Sequence, residues 1–459
     1  ALTVPVQSSA ARVPLVTLLP LPVLAYQADD GSERLIPAGE GSPLLINLWA
    51  SWCKPCLTEL SEFTRRSDEI EAAGIEILAL NVDFLGDPRA DPQAAQATME
   101  RIQFRFNRGR ATTKLVRALQ SLHDLLLPLH RPLPVPASFL IDRDGRLVAI
   151  YKGPLAVDDL LADATHSQGQ RPERLERAAP LAGRAIRDPR IERTLDASEA
   201  RTKFYFATVL DDARRYRDAA AIYREVLALQ PRSLKTHFNL GHALLQLGQL
   251  DKATTHFQRV LEIDPRFTRA HQGLGDCRLR RGQLAEAVES YQRVLEVEPD
   301  NKQVLVNTGT ALAGLGKLEQ CGQHFDRALA IDPNFAEAHA WLAGAYMVGA
   351  VMGDPPREAM PRARASAQVA LDLDDDIALA HTAIGYVLLY FDRDWEAGGA
   401  AFRKALELDP NNAMARHGYA DYLVALGRLD QSVDQVLQGR KSNPLSPMSN
   451  AVVVGHLYM

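Results

Sequence analysis

Cys53 and Cys56 stand two residues apart in the run WASWCKPC, a spacing that serves either thiol-disulfide exchange or half of a metal site. The residues in front of them, LLINLWA over 44–50, are a short apolar, β-favouring run, and Cys56 to Ala73 reads as an amphipathic helix. A cysteine at that junction meets unpaired N–H groups and the positive end of the helix dipole. Both favour thiolate and lower the pKa below the roughly 8.5 of a free thiol. Cys53 is therefore the expected nucleophile. Cys56, about one helical turn further in, is placed to attack a mixed disulfide and is the expected resolving thiol. The metal alternative lacks ligands: no second C-x-x-C follows, Cys277 and Cys321 lie far along the chain, and His123 and His130 have no companion at ligand spacing. No cofactor is expected beyond a redox-active Cys53–Cys56 disulfide. Four cysteines in 459 residues are too few for a disulfide scaffold.

The elements that position the pair follow from the apolar pattern. A second β-favouring run, IEILALNVD over 75–83, comes after the helix, so strand, helix and strand make a βαβ unit. Ser138 to Ile141 and Arg146 to Tyr151, divided by Asp142-Arg143-Asp144-Gly145, predict a β-hairpin. Residues 87–129 read as an insertion beside the active face, with Pro88 and Pro92 opening a polar helix and Thr112 to Leu127 a more apolar one. Residues 1–14 read as an extension, 15–165 as the redox domain, and 166–197, rich in Arg, Ala and Pro, as a partly helical linker.

From 198 the sequence repeats. Pro231, Pro265, Pro299 and Pro333 are 34 residues apart, as are Pro410 and Pro444, a period of helix-turn-helix arrays. Leu240-Gly241, Leu274-Gly275 and Thr308-Gly309 share one register, Gly248, Gly282 and Gly316 a second, and Ala253, Ala287 and Cys321 a third. Phe257, Tyr291 and Phe325 recur as the large residue between helices. This pattern resembles the tetratricopeptide repeat. Seven units fit over 198–444, the fifth ending at Asp375 with about eight extra residues, where a kink or longer loop is expected. Residues 445–459 read as the first helix of a further unit.

LLINLWASWCKPCLTEL together with PVPASFLIDRDGRLVAIYKGP resembles the TlpA/ResA branch of thioredoxin-fold thiol-disulfide oxidoreductases. The fold class expected is an α/β thioredoxin-like domain followed by an all-α tetratricopeptide-repeat superhelix. The resemblance implies that Pro136 is the cis-proline facing the dithiol, with Val135 offering backbone hydrogen bonds to a substrate chain; an ordinary trans turn is the alternative, since cis costs little at X-Pro. It implies Glu59 as a proton relay to Cys56, against a solvated first-turn glutamate. Trp49 and Trp52 flank the motif, and Lys54 and Pro55 tune its potential and, with Trp52, meet the substrate. Asn47 stands where thioredoxins carry a buried aspartate, Ser61 where the family often has a helix-kinking proline, and Ala50 where peroxiredoxins carry threonine, which argues against a peroxidase. The segment is also similar to redoxin domains of secreted bacterial proteins with FG-GAP and ASPIC modules, so that the chain, which opens on Ala1, is expected to be an excerpt.

Hydrophobic residues at 46%, charged residues at 24% and a net charge of −5 describe a globular protein without a basic stripe for nucleic acid. No run approaches the roughly 18 apolar residues of a membrane helix, and no signal peptide is present. An extracytoplasmic setting, the bacterial periplasm or outside the cell, is implied by the resemblance. The first helix of each repeat lines the concave face, and Lys235, Phe238, His242, Arg269, Gln272, Asp276 and Arg280 are the candidate residues for a protein or peptide partner. The functional expectation is a protein-disulfide reductase with a recruiting repeat domain. The alternative is a scaffold whose thioredoxin-like domain is a redox-inert docking module.

Overall fold

The computed structural model describes residues 11–36, 41–85, 92–126, 132–166, 174 and 189–442; His130, Pro444 and the last fifteen positions lie outside them. Eight strands form one sheet: β1 (Ala11–Pro20), β2 (Ala25–Ala28), β3 (Glu33–Leu35), β4 (Leu44–Trp49), β5 (Glu76–Asn81), β6 (Asn107–Arg110), β7 (Ala137–Ile141) and β8 (Arg146–Lys152). Their order is β1-β8-β7-β4-β5-β6-β2-β3. All six residues of β4 are buried, the signature of a central strand covered on both faces. It runs parallel to β5 and antiparallel to β7, where Asn47 pairs with Ser138. That register brings the strand before the dithiol beside the strand after Pro136.

Three expectations change. The sheet begins at Ala11, because β1 pairs with β8 and Arg12 makes a two-pronged ion pair with Asp163 at 2.9 and 2.6 Å. Residues 1–14 are thus not wholly an extension. The 87–129 segment is part of the sheet rather than an addition to it: β6 lies parallel to β5 between α3 (Pro92–Arg101) and α4 (Thr113–Leu126). Its sequence, NRGR, has no apolar alternation. Gly109 is there because a Cβ would lie 2.6 Å from the Tyr26 ring. Finally, the long helix after the dithiol is two, α1 (Lys54–Arg65) and α2 (Ser67–Ala72), divided at Arg66, whose backbone leaves the helical region while its guanidinium holds Glu69 and Asp158. An α5 helix (Val157–His166) completes the domain.

Two compact units divide the chain, Ala1–Thr236 and His237–Met459. In the first, α6 (Pro189–Asp212) packs against β1 and α4 and pairs with α7 (Tyr216–Leu229). Helix therefore starts nine residues before the expected repeat boundary. In the second, α8 (Leu234–Gln246), which opens just before the boundary, pairs with α9 (Leu250–Ile263), α10 (Thr268–Arg280) with α11 (Leu284–Leu295), α12 (Lys302–Gly314) with α13 (Leu318–Ile331), α14 (Ala336–Met352) with α15 (Pro356–Leu373), α16 (Ala378–Tyr386) with α17 (Trp395–Leu408), and α18 (Ala413–Ala425) with α19 (Leu429–Ser442). Buried Phe257, Tyr291, Phe325 and Phe402 fill the space between helices. Glycine faces each of them: a Cβ on Gly273, Gly275, Gly309 or Gly418 would come within 2.5 Å of those rings.

The closing IDP-type motifs have a mechanism. Asp264, Asp332, Asp374 and Asp409 each accept, through Oδ1, the N–H two residues on, an Asx turn. The fifth unit keeps this aspartate, which is why Asp375 replaces proline without loss of the turn. Its extra residues form no long loop; they lengthen the two helices, the second of which holds Pro361 inside it. α14 and α15 are each four residues longer than α12 and α13, and the helices meet at Gly353, with φ +128°. In the sixth unit α16 continues as a π-helical turn, Val387–Asp392.

Candidate active site

β4 ends at Trp49, and the chain turns so that the Cys53 N–H donates to the Ala50 carbonyl at 3.1 Å. Asp83, just past β5, holds this turn from the side by accepting the Ser51 N–H at 2.9 Å and the Asn81 amide at 3.0 Å. Cys53 is the N-cap of α1: its Sγ accepts the Cys56 N–H at 3.2 Å. Backbone donors and the helix dipole thus converge on the sulfur that must carry negative charge. Cys53 and Cys56 are joined as a disulfide. Cys53 keeps 4% of its surface and Cys56 none, so an attacking thiolate from outside reaches the first sulfur and not the second. Trp52 beside it is 73% exposed, with Lys54 and Pro55 also exposed. Trp49 is buried.

The Val135–Pro136 peptide is cis, and the Val135 carbonyl lies 3.6 Å from Cys53 Sγ. The structure thus brings Pro136, Val135 and the dithiol to one place, although 79 residues separate Cys56 from Val135 in sequence. Ser61, in place of a kinking proline, returns its hydroxyl to the Leu57 carbonyl at 2.7 Å within α1.

Glu59 shares a face of α1 with Cys56, three residues away. It is only 3% exposed, which sets aside a solvated surface role. The Leu155 N–H donates to Oε1 at 2.8 Å and the Asn47 amide to Oε2 at 3.0 Å; the same amide donates to Ser138 Oγ at 2.9 Å. Burial pushes the Glu59 pKa up to about 7 against the pull of those two donors. A carboxyl near neutrality behind the resolving thiol suits proton exchange. Ser138, Leu155 and Asp83 escaped the sequence reading. Asn47 could have pointed to Ser138 only through the strand register, and nothing in the chain marks Leu155, whose role is a backbone N–H.

In the repeats, Lys235, Arg269 and Arg280 are exposed, and His242 and Gln272 half-buried. Phe238 is also half-buried, its ring 6.0 Å from Phe257 and 5.3 Å from Phe267. Asp276 accepts from Tyr291 Oη at 2.8 Å and from the Asn307 amide at 3.1 Å. Cys277 and Cys321 are buried free thiols whose pKa burial raises, which makes them inert. Buried His123 is 2.9 Å from Asp124. Among the described residues no three His, Cys, Asp or Glu side chains gather as a metal site, and no helix is long and apolar enough to cross a membrane.

Residues 20–150 match the AhpC/TSA family, and residues 212–277, 248–306 and 401–434 match tetratricopeptide repeats. The chain joins a redoxin domain of the AhpC/TSA family to tetratricopeptide repeats. The redoxin domain is similar to the thiol-disulfide oxidoreductase ResA of Geobacillus thermodenitrificans, 29% identical over 131 residues, covering 28% of this chain and 66% of that protein. It is also similar to the sporulation thiol-disulfide oxidoreductase A of Bacillus subtilis, 24% identical over 138 residues, covering 30% of this chain and 75% of that protein. The chain thus spans about two thirds of the length of the ResA proteins it matches. A tetratricopeptide repeat protein from Parabacteroides merdae is 11% identical with a TM-score of 0.46, covering 56% of this chain and 98% of that one.

Proposed function

We propose that the redoxin domain reduces disulfides in protein substrates outside the cytoplasm, and that the repeats hold a partner or substrate chain. The observation that carries the redox reading is the placement of Cys53: an N-cap sulfur at the mouth of the site, with its buried partner Cys56 backed by Glu59. In the reduced enzyme the Cys53 thiolate attacks one sulfur of a substrate disulfide. A mixed disulfide forms and the other substrate sulfur leaves as a thiolate, which takes a proton. Glu59 then accepts the Cys56 proton, the Cys56 thiolate attacks Cys53 Sγ, and the second substrate thiolate is expelled and protonated. Two electrons have passed to the substrate, and the Cys53–Cys56 disulfide remains. A second turnover requires a dithiol donor.

The exposed Trp52, Lys54 and Pro55 and the Val135 backbone beside cis-Pro136 are the surface offered to the substrate chain. In the repeats we assign partner contact to Lys235, Phe238, His242, Arg269, Gln272, Asp276 and Arg280. The setting outside the cytoplasm follows from the resemblance to the TlpA/ResA branch.

Reduction of insulin disulfides in the presence of a small dithiol tests the proposal: Cys53→Ser abolishes it, and undiminished turnover in that variant overturns the reading. Redox titration tests the docking alternative, since a chain without a reversible two-electron couple between Cys53 and Cys56 is a scaffold. The midpoint sets the direction. Values near roughly −270 mV belong to reductases and values near roughly −120 mV to oxidants.

A further inference from the structure

The Asn47 amide is satisfied at one end only. Nδ2 donates to both Glu59 Oε2 and Ser138 Oγ, while Oδ1, on a residue with no exposed surface, has no hydrogen-bond partner. A buried acceptor left unmade is costly, and an amide is nearly symmetric in shape, so whichever way it is turned one end has two partners and the other none. The orphan is therefore a property of the site rather than of one orientation.

We propose that Asn47 is a positioning residue that serves both forms of Glu59 by turning over: Nδ2 faces the carboxylate, and Oδ1 faces the carboxylic acid. With Glu59 ionised, Nδ2 donates to Oε2 and to Ser138 Oγ, as in the structure. When Glu59 takes the proton from Cys56 Sγ, Oε2 becomes a donor and meets N–H against O–H. A half-turn of the amide about its last torsion presents Oδ1, which accepts from Oε2–H and from the Ser138 hydroxyl. One proton moves, from sulfur to carboxyl, and no electrons pass through Asn47.

The groups that meet the carboxyl are the Asn47 amide from β4 and the Leu155 N–H from the segment after β8; Cys56 stands three residues before it on α1. Ser138 of β7 meets the same Nδ2. Neither an aspartate nor an apolar side chain at position 47 reproduces this: aspartate sets a second carboxylate against Glu59, and leucine offers nothing to either form. The inference rests on Glu59 as the proton acceptor, but the two fail separately.

The test is NMR of the full oxidised chain, labelled in Asn side-chain nitrogen and Glu carboxyl carbon and titrated from pH 5 to pH 9, with signals assigned by their absence in Asn47→Leu and Glu59→Gln. The expected result is an Asn47 NH2 resonance that moves with the same midpoint as the Glu59 carboxyl and stays fixed in Glu59→Gln. An Asn47 resonance that ignores pH while Glu59 titrates overturns the proposal. Disulfide reduction by Glu59→Gln at the wild-type rate would instead sink the relay and leave the amide result standing.

Discussion

Glu59 sets two opposing demands on one side chain. Its charged form is penalised by burial, and its folded pKa, about 7, stands above the ordinary 4.5. Below pH 4.5 the carboxyl is protonated in folded and unfolded chains alike, and it contributes no pH dependence. Between 4.5 and 7 the unfolded chain gives up its proton first, so stability falls as pH rises, and above 7 the loss is complete. At roughly 1.4 kcal/mol per pH unit the loss is on the order of 3 kcal/mol. Glu59→Gln should remove that fall, so that β4 and β7 amides keep at pH 8 the protection they have at pH 5, as native-state hydrogen exchange corrected for intrinsic rates will show. The same variant should slow resolution of the mixed disulfide on the order of 100-fold and abolish its rise with pH through about 7, measured by quenching and trapping the intermediate. Much of this was legible: the spacing of Cys53 and Cys56 and the step to Glu59 are sequence facts. The burial that raises the pKa was not, because it is set by tertiary packing, and the two donors that oppose it, Leu155 and Asn47, lie 96 and 12 residues from Glu59.

At the scale of elements, the sequence is clearest where one face must be apolar and silent where it need not be. The βαβ unit and the hairpin could be read because β4, β5, β7 and β8 are buried runs. β6 could not, since NRGR between two partners needs only backbone pairing and a glycine under Tyr26. In the repeats, periodicity revealed the small residues but not which of them are indispensable. A Cβ on Gly275 would sit 2.4 Å from the Tyr291 ring, whereas one on Gly322, inside α13, would meet nothing within 4 Å. Gly275→Ala should therefore destabilise the repeats by about 1–3 kcal/mol through overpacking. Gly322→Ala should stabilise them by about 0.5–1 kcal/mol, the ordinary gain of alanine in a helix. Urea unfolding of the two variants side by side checks both signs, and a loss in each would mean that the space around Gly322 is not open.

At the scale of the whole molecule, the expected border at 198 falls inside α6, which runs from Pro189 to Asp212 and packs on β1 and α4. Composition hid this, because an arginine-rich stretch reads as linker until a sheet edge is there to receive it. A chain cut at 198 should expose the covered face of β1 and lose stability, seen as a lower melting temperature and faster exchange in β1 and β8. A chain ending after Thr236 should keep both its fold and its turnover of small disulfides while losing partner recruitment. Equal stability of the two truncations would show that α6 contributes nothing to the redox domain.

The fifth repeat carries its additional residues as four in each helix. Four residues advance a helix by about 6 Å and turn it by little more than one revolution, so the buried stripes of α14 and α15 still face each other. Lengthening one helix alone would have left its added turn without a mate. The symmetric addition instead moves the hairpin tip at Gly353 outward as a ledge about 6 Å high on the rim of the solenoid.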